Sequence, residues 1–291
     1  MVDHLEFADP TIIDRFLQAW RETATQRFGW LIGRYEPYEE VPMGIKAIVE
    51  AIHEPSQEGE VDGLSLGLPW EDETRIRSLA GGASSPLTVV GQIFTDLTPD
   101  EEDKTKLVYK RHQGSYFLSS LEAIWASAQQ LRHPTPSRSS PTGQFSSRLV
   151  TAVLSGTEEG GVDVQAYQVS EQACAMVDAD MIEASVEPGI VRVKEEDRDA
   201  DTARYVPDVF FRYKNEYGLQ VKKSAKPCFP VEYLIINVCT SLHTFHRRSQ
   251  WTISPGHTWL SQKPGTALPF DVLPDREPSR AGGSRCAACS P

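Results

Sequence analysis

Apolar positions recur with two distinct periods along the first part of this chain. Asp9-Pro10 reads as a helix start, a capping acid followed by proline at the first helical position. Ile13, Phe16, Leu17 and Trp20 then fall at i, i+3, i+4 and i+7, one stripe of an amphipathic helix expected over 10–26. Phe28–Tyr35 and Ile45–His53 read as strands, the second ended by Pro55. Residues 55–86 form a long, acidic, glycine-rich connection with a short helix expected around Glu71–Leu79. Leu87–Thr95 is the strongest strand signal, a largely apolar run fit for a buried central position. Asp96–Lys106 is a charged loop. Ser119 and Glu122 predict a capping box opening a helix whose apolar face is Leu121, Ile124 and Trp125. His133–Thr142 reads as loop. Arg148–Leu154 and Val162–Val169 read as strands around Glu158-Glu159-Gly160-Gly161, with a short helix opened by Ser170 and Glu171. Residues 183–204 are polar and strongly charged, and Phe229–Val238 reads as one final buried strand.

Helices mixed with a mostly non-alternating set of strands predict an α+β or α/β domain over residues 1–238 with long insertions. The remainder, 239–291, changes character. It holds six Lys/Arg against three acids, so it carries +3. The first 238 residues carry 23 basic against 38 acidic side chains, −15, which together give the chain its −12. With ten of the forty Gly and Pro and no sustained period, 239–291 reads as a disordered or foreign extension. An acidic chain is a poor prospect for nucleic acid, since phosphate affinity comes from clustered cations. No run reaches the ~18 apolar residues of a spanning helix. The first residues, Met1–Glu6, show neither a basic start nor an apolar run, so no signal peptide is expected. Five unpatterned cysteines argue for a reducing compartment, with Cys174, Cys228 and Cys239 read as small core residues.

Candidate chemistry is sparse. Cys286 and Cys289 form a lone pair without the second pair of a zinc ribbon, and His243 and His246 lack further ligands nearby. Ser119-Ser120 lacks the glycine context of a nucleophile elbow, so a helix cap explains it better. No phosphate loop or dinucleotide turn is present.

Longer segments carry a resemblance. Asp14-Arg15-Phe16-Leu17, Gly33-Arg34-Tyr35, Pro42-Met43-Gly44-Ile45, Ile93–Leu97, Tyr116–Ser120, Phe145–Ala152, Tyr205–Phe210 and Pro230–Ile236 are collinear with, and similar to, the central MPN domain of the nuclear protein localisation protein 4 family. The resemblance implies an α+β MPN fold, a mixed curved sheet with flanking helices. The enzymatic branch of that fold cuts ubiquitin chains with a zinc ion held by a His-x-His pair and a Ser-x-x-Asp, and uses an upstream glutamate as general base. By resemblance the upstream position is Gln26, His-x-His is Phe94-Thr95-Asp96, and Ser-x-x-Asp is Ser119 to Glu122. Gln26 cannot accept a proton as a carboxylate does, and both imidazoles are gone. The resemblance therefore implies no metal, no cofactor and no catalysis.

It implies binding instead: recognition of ubiquitin and polyubiquitinated substrates in a groove whose residues the sequence does not identify. The implied partners are the valosin-containing AAA ATPase and the ubiquitin-fusion-degradation partner protein. The implied setting is ER-associated and ubiquitin-dependent degradation, with family links to nuclear protein import and RNA export. No direct nucleic-acid contact is implied. The implied location is cytoplasmic and nuclear, at most peripheral to the ER membrane. An active zinc isopeptidase and a pure assembly scaffold are the alternatives. Divergence at Cys239–His243 from the family's continuation marks the chain as a fragment or an altered gene product.

Overall fold

A computed structural model describes residues 1–67, 87–101, 103, 105–196 and 206–242. The expected helix at Glu71–Leu79, the histidines at 243 and 246 and the cysteines at 286 and 289 lie outside the described residues. The strands are β1 (His4–Phe7), β2 (Phe28–Tyr38), β3 (Gly44–His53), β4 (Gln57–Gly59), β5 (Leu64–Leu66), β6 (Thr88–Asp96), β7 (Thr135–Pro136) and β8 (Gln144–Phe145). They continue with β9 (Val150–Gly156), β10 (Val162–Val169), β11 (Ile182–Ala184), β12 (Ile190–Val193), β13 (Phe210–Lys214), β14 (Gln220–Ser224), β15 (Cys228–Pro230) and β16 (Ile235–Leu242). The helices are α1 (Thr11–Thr23), α2 (Ser120–Arg132) and α3 (Glu171–Asp178).

The described residues divide into two compact units. The first comprises 1–110, 148–168 and 237–242; the second comprises 111–147 and 169–236. The mixed curved sheet expected from the resemblance is closed on itself: seven strands form a barrel in the order β1-β16-β10-β9-β6-β2-β3. β1 runs parallel to both β3 and β16, while β2 pairs antiparallel with β3 and with β6. The central position foreseen for the 87–95 run is borne out, because β6 lies between β2 and β9.

In the first unit the stripe Ile13, Phe16, Leu17 and Trp20 is fully buried, and it packs in one core with Leu5, Phe7, Leu31, Val49, Ile93 and Val150. Burying each such side chain contributes about 1.5–3 kcal/mol. The helix begins at Thr11 with Pro10 as its N-cap, one position later than foreseen, and Asp9 Oδ1 accepts the Thr11 N–H at 2.8 Å. The helix stops three residues short of 26: Ala24 turns left-handed at φ 55° and returns its N–H to Trp20 O. At Gly33, beside a bulge in the β2–β3 ladder, a Cβ would fall 1.8 Å from the Ile48 carbonyl oxygen, so only glycine fits.

In the second unit α2, α3 and the sheet β11-β12-β15 enclose a core of Ala123, Ala126, Ala173, Met176, Val191, Phe229, Val231 and Leu234. The capping box at Ser119 and Glu122 is present as expected. Leu121 and Ile124 are only half-buried, however, and the small residues Ala123 and Ala126 take the buried face. Gln130 substitutes for a strand at the end of β10: its Nε2 donates to Val169 O at 2.9 Å and its Oε1 accepts the Val169 N–H at 2.7 Å.

The single strand expected over Phe229–Val238 is broken. Pro230 ends β15, a 3-10 turn spans Val231–Leu234, and β16 begins at Ile235. Proline supplies no ladder N–H, which favours the break there. β16 also continues past the expected boundary at Val238, since Cys239–Leu242 pair with His4–Phe7. Those four residues therefore belong to the barrel and not to a tail without packing. Cys228 is buried as expected, whereas Cys174 is only half-buried and Cys239 is exposed, both as free thiols, against their reading as core residues.

Candidate functional site

Gln26 lies between the left-handed turn that ends α1 and the start of β2, and its side chain is buried. Its amide is fully engaged. Nε2 donates to Val61 O at 2.6 Å and to Leu97 O at 3.0 Å. Oε1 accepts from Thr95 Oγ1 at 2.8 Å and from the Leu97 N–H at 3.2 Å. A carboxylate is an acceptor only and could not serve the two carbonyls. The amide thus ties the entrance of β2 to the exit of β6 and to the loop at Val61.

β6 brings Phe94, Thr95 and Asp96 to that place. Side chains alternate along a strand, so Phe94 and Asp96 share one face and Thr95 the other. Thr95, not its neighbours, meets Gln26, and it also accepts the Arg27 N–H at 2.8 Å. Phe94 is buried and offers no donor atom to a metal. Asp96 is bonded to Lys110 Nζ at 3.2 Å.

Ser119 and Glu122 belong to the second unit, at the start of α2. Glu122 Oε2 accepts the Ser119 N–H at 2.8 Å while Ser119 Oγ accepts the Glu122 N–H at 3.2 Å. The carboxylate is also gripped at both oxygens by Arg111, at 2.9 and 2.7 Å. Arg111 is almost wholly buried, donates to Phe117 O at 2.8 Å and lies against the Tyr116 ring. This is a two-pronged, charge-assisted pairing that fixes geometry as well as charge. The helix-cap reading of Ser119 and Glu122 holds, with a guanidinium added to it.

Three neutral or anionic metal donors are needed for a catalytic zinc ion. At the four positions singled out, Gln26 and Phe94 contribute none, and the carboxylates of Asp96 and Glu122 are each bonded to a cation. That donor set does not fit zinc. Among the described residues no group of three or more His, Cys, Asp or Glu could hold a metal ion.

Gln26 directly precedes the stretch that matches a known family, and Thr95, Leu97 and the β2–β6 ladder lie within it. A family model described as the NPL4 family matches residues 27–257. The chain belongs to the NPL4 family. Nuclear protein localization protein 4 of Debaryomyces hansenii is 48% identical over 241 residues, covering 83% of this chain and 41% of that protein. The proteins of the same name from Saccharomyces cerevisiae and Schizosaccharomyces pombe are 42% and 44% identical, covering 90% and 82% of this chain and 45% and 40% of their own lengths. This NPL4-family chain therefore spans less than half the length of these curated relatives. The family match runs past both Val238 and the last described strand.

Sequence reasoning missed Thr95 and Arg111. Thr95 sat between two positions of interest as a spacer. Arg111 stands eleven residues before Glu122 in an irregular segment, where no periodicity announces a pairing.

Proposed function

We propose that this NPL4-family chain is a non-enzymatic MPN-type domain that takes part in recognising ubiquitin and polyubiquitinated proteins for the valosin-containing AAA ATPase, together with the ubiquitin-fusion-degradation partner. The observation that carries the non-enzymatic part is Gln26. Its amide is committed to four hydrogen bonds where the hydrolytic branch requires a free carboxylate base. The binding part rests on family membership and on the collinear motifs. Work in ER-associated and ubiquitin-dependent degradation, and a nuclear and cytoplasmic distribution, belong to the same reading; the relatives' name supports only the nuclear part. No helix among the described residues is long and apolar enough to cross a membrane.

Two measurements test this. Titration of labelled polyubiquitin against the protein, with and without the ATPase and the partner, is expected to show binding; its absence in the assembled complex refutes the reading. Metal analysis with a diubiquitin cleavage assay is expected to show neither stoichiometric zinc nor cleavage. Zinc together with cleavage establishes the isopeptidase instead.

A further inference from the structure

The hairpin β13–β14 carries a basic face on a chain of net charge −12. Its register sets Phe210 against Ser224, Arg212 against Lys222 and Lys214 against Gln220. By strand alternation these six side chains share one face, and that face contains no acid. On the opposite face Phe211 packs 4.9 Å from the Tyr233 ring and adjoins the core of the second unit, while Tyr213 and Lys223 are exposed. On the outward face Arg212, Lys214 and Lys222 are exposed, and Phe210 is 48% exposed. Lys222 Nζ rests 3.9 Å from the centre of the Phe210 ring, which fixes one cation in place.

Arg212 and Lys222 are directly opposed like charges, an arrangement that destabilises a strand pair. Neither has an ion-pair partner among the described residues. Isolated lysines on exposed strands are explained by protection against sheet-to-sheet association. That protection calls for scattered charges and gives no reason to oppose an arginine to a lysine that is itself seated on an exposed ring.

We propose that this outward face is a docking surface for an extended, acidic polypeptide segment of a partner protein. Charge complementarity selects the class. Arg212 and Lys214 are spaced by two residues of strand, about 6.8 Å, which is also the spacing of carboxylates at alternating positions in an extended segment. The exposed Phe210 adds an apolar contact beside them. The long-range field of a chain with net charge −12 opposes nucleic acid and anionic membranes, whose charge is continuous, more than a short peptide. The surface is separate from the ubiquitin reading, and neither depends on the other.

The test uses the full chain, with a short fluorescent peptide of alternating Glu and Thr as probe. A Lys/Thr peptide, oligo(U) and phosphatidylserine vesicles serve as comparisons. The Glu/Thr peptide is expected to bind with salt-sensitive affinity, to shift backbone amide resonances within residues 210–224, and to lose about tenfold in affinity in both Arg212→Glu and Lys222→Glu. Arg212→Glu should keep or raise the melting temperature, because it places opposite charges across the ladder, so lost binding cannot be mistaken for lost folding. Unchanged affinity in both variants overturns the proposal, as do amide shifts confined to other residues. Tighter binding of oligo(U) or of vesicles through the same residues overturns the choice of an acidic polypeptide. The polyubiquitin titration is read separately, so failure of one leaves the other standing.

Discussion

Replacing Gln26 by glutamate restores in name the base of the hydrolytic branch, and it puts the strongest demand on the geometry. The substitution is isosteric but exchanges the donor Nε2 for an acceptor. Two carbonyl oxygens, Val61 O and Leu97 O, then face an oxygen at 2.6 and 3.0 Å. Val61 is exposed, so its carbonyl can turn to water. Leu97 is buried, and its unsatisfied carbonyl costs about 1–3 kcal/mol. Desolvating the carboxylate adds a comparable amount, so we expect a total of about 3 kcal/mol near neutral pH. In a structure of this size that lowers the melting point of the first unit by about 6–12 °C.

The penalty should depend on pH with a definite sign. Burial against carbonyl oxygens raises the folded-state pKa of the introduced carboxyl above its unfolded value of about 4.3. Below the unfolded pKa both states are protonated and the carboxyl can donate one bond, so the deficit is small. It grows as the pH rises through the window between the two pKa values and is constant above it. Urea denaturation of wild type and Gln26→Glu at pH 5 and pH 8 measures this. A variant within about 0.5 kcal/mol of wild type at pH 8, or a deficit larger at pH 5 than at pH 8, would falsify the assignment of donor and acceptor at Gln26. No diubiquitin cleavage is expected from this variant.

The remaining predictions concern separate parts of the fold. Arg111→Ala leaves the Glu122 carboxylate without its guanidinium and should destabilise the second unit by about 2–4 kcal/mol; Arg111→Lys should recover little, because an ammonium cannot grip both oxygens, and denaturation curves of the two variants decide it. Gly33→Ala sets a Cβ into the Ile48 carbonyl and should cost about 3 kcal/mol, visible as a lower melting temperature or as insoluble protein. Burial pushes the Tyr35 phenol well above its ordinary pKa, with its hydroxyl 3.0 Å from Arg148 O and 3.3 Å from Val90 O. Since the folded pKa is raised, the stabilisation it reports is present below about pH 10 and lost as pH rises above that; spectrophotometric titration should find one phenol that ionises only on alkaline unfolding, and Tyr35→Phe should remove that step.

Periodic features were legible because a single residue type at a fixed interval decides them. The α1 stripe, the buried β6 run and the Ser119–Glu122 box needed only local spacing. Features that depend on distant partners were not. Closure of the barrel rests on β1, four residues with little pattern of their own, meeting β3 and β16. β11 to β14 lie in charged stretches where one face is solvated and the strands are short, so polarity masked them. Apolar content alone joined β15 to β16, although Pro230 stood in the sequence as the sign of a break. At the candidate site, which residue stands at each position was readable. That Gln26 acts as a four-bond fastener, and that Glu122 answers to Arg111, required the fold.

The pairing of His4–Phe7 with Cys239–Leu242 has a consequence for how the chain is made. β1 is held between β3 and a strand more than two hundred residues later. A ribosome can release α1, β2 and β3 early, and β3 can receive β1 at once, but the other side of β1 stays an open edge until β16 has emerged. Contacts of such long sequence separation form slowly, and exposed edges are where nascent chains associate wrongly. The barrel is therefore completed only after nearly all of the described chain has been translated, and the interval before that is when it depends most on chaperones.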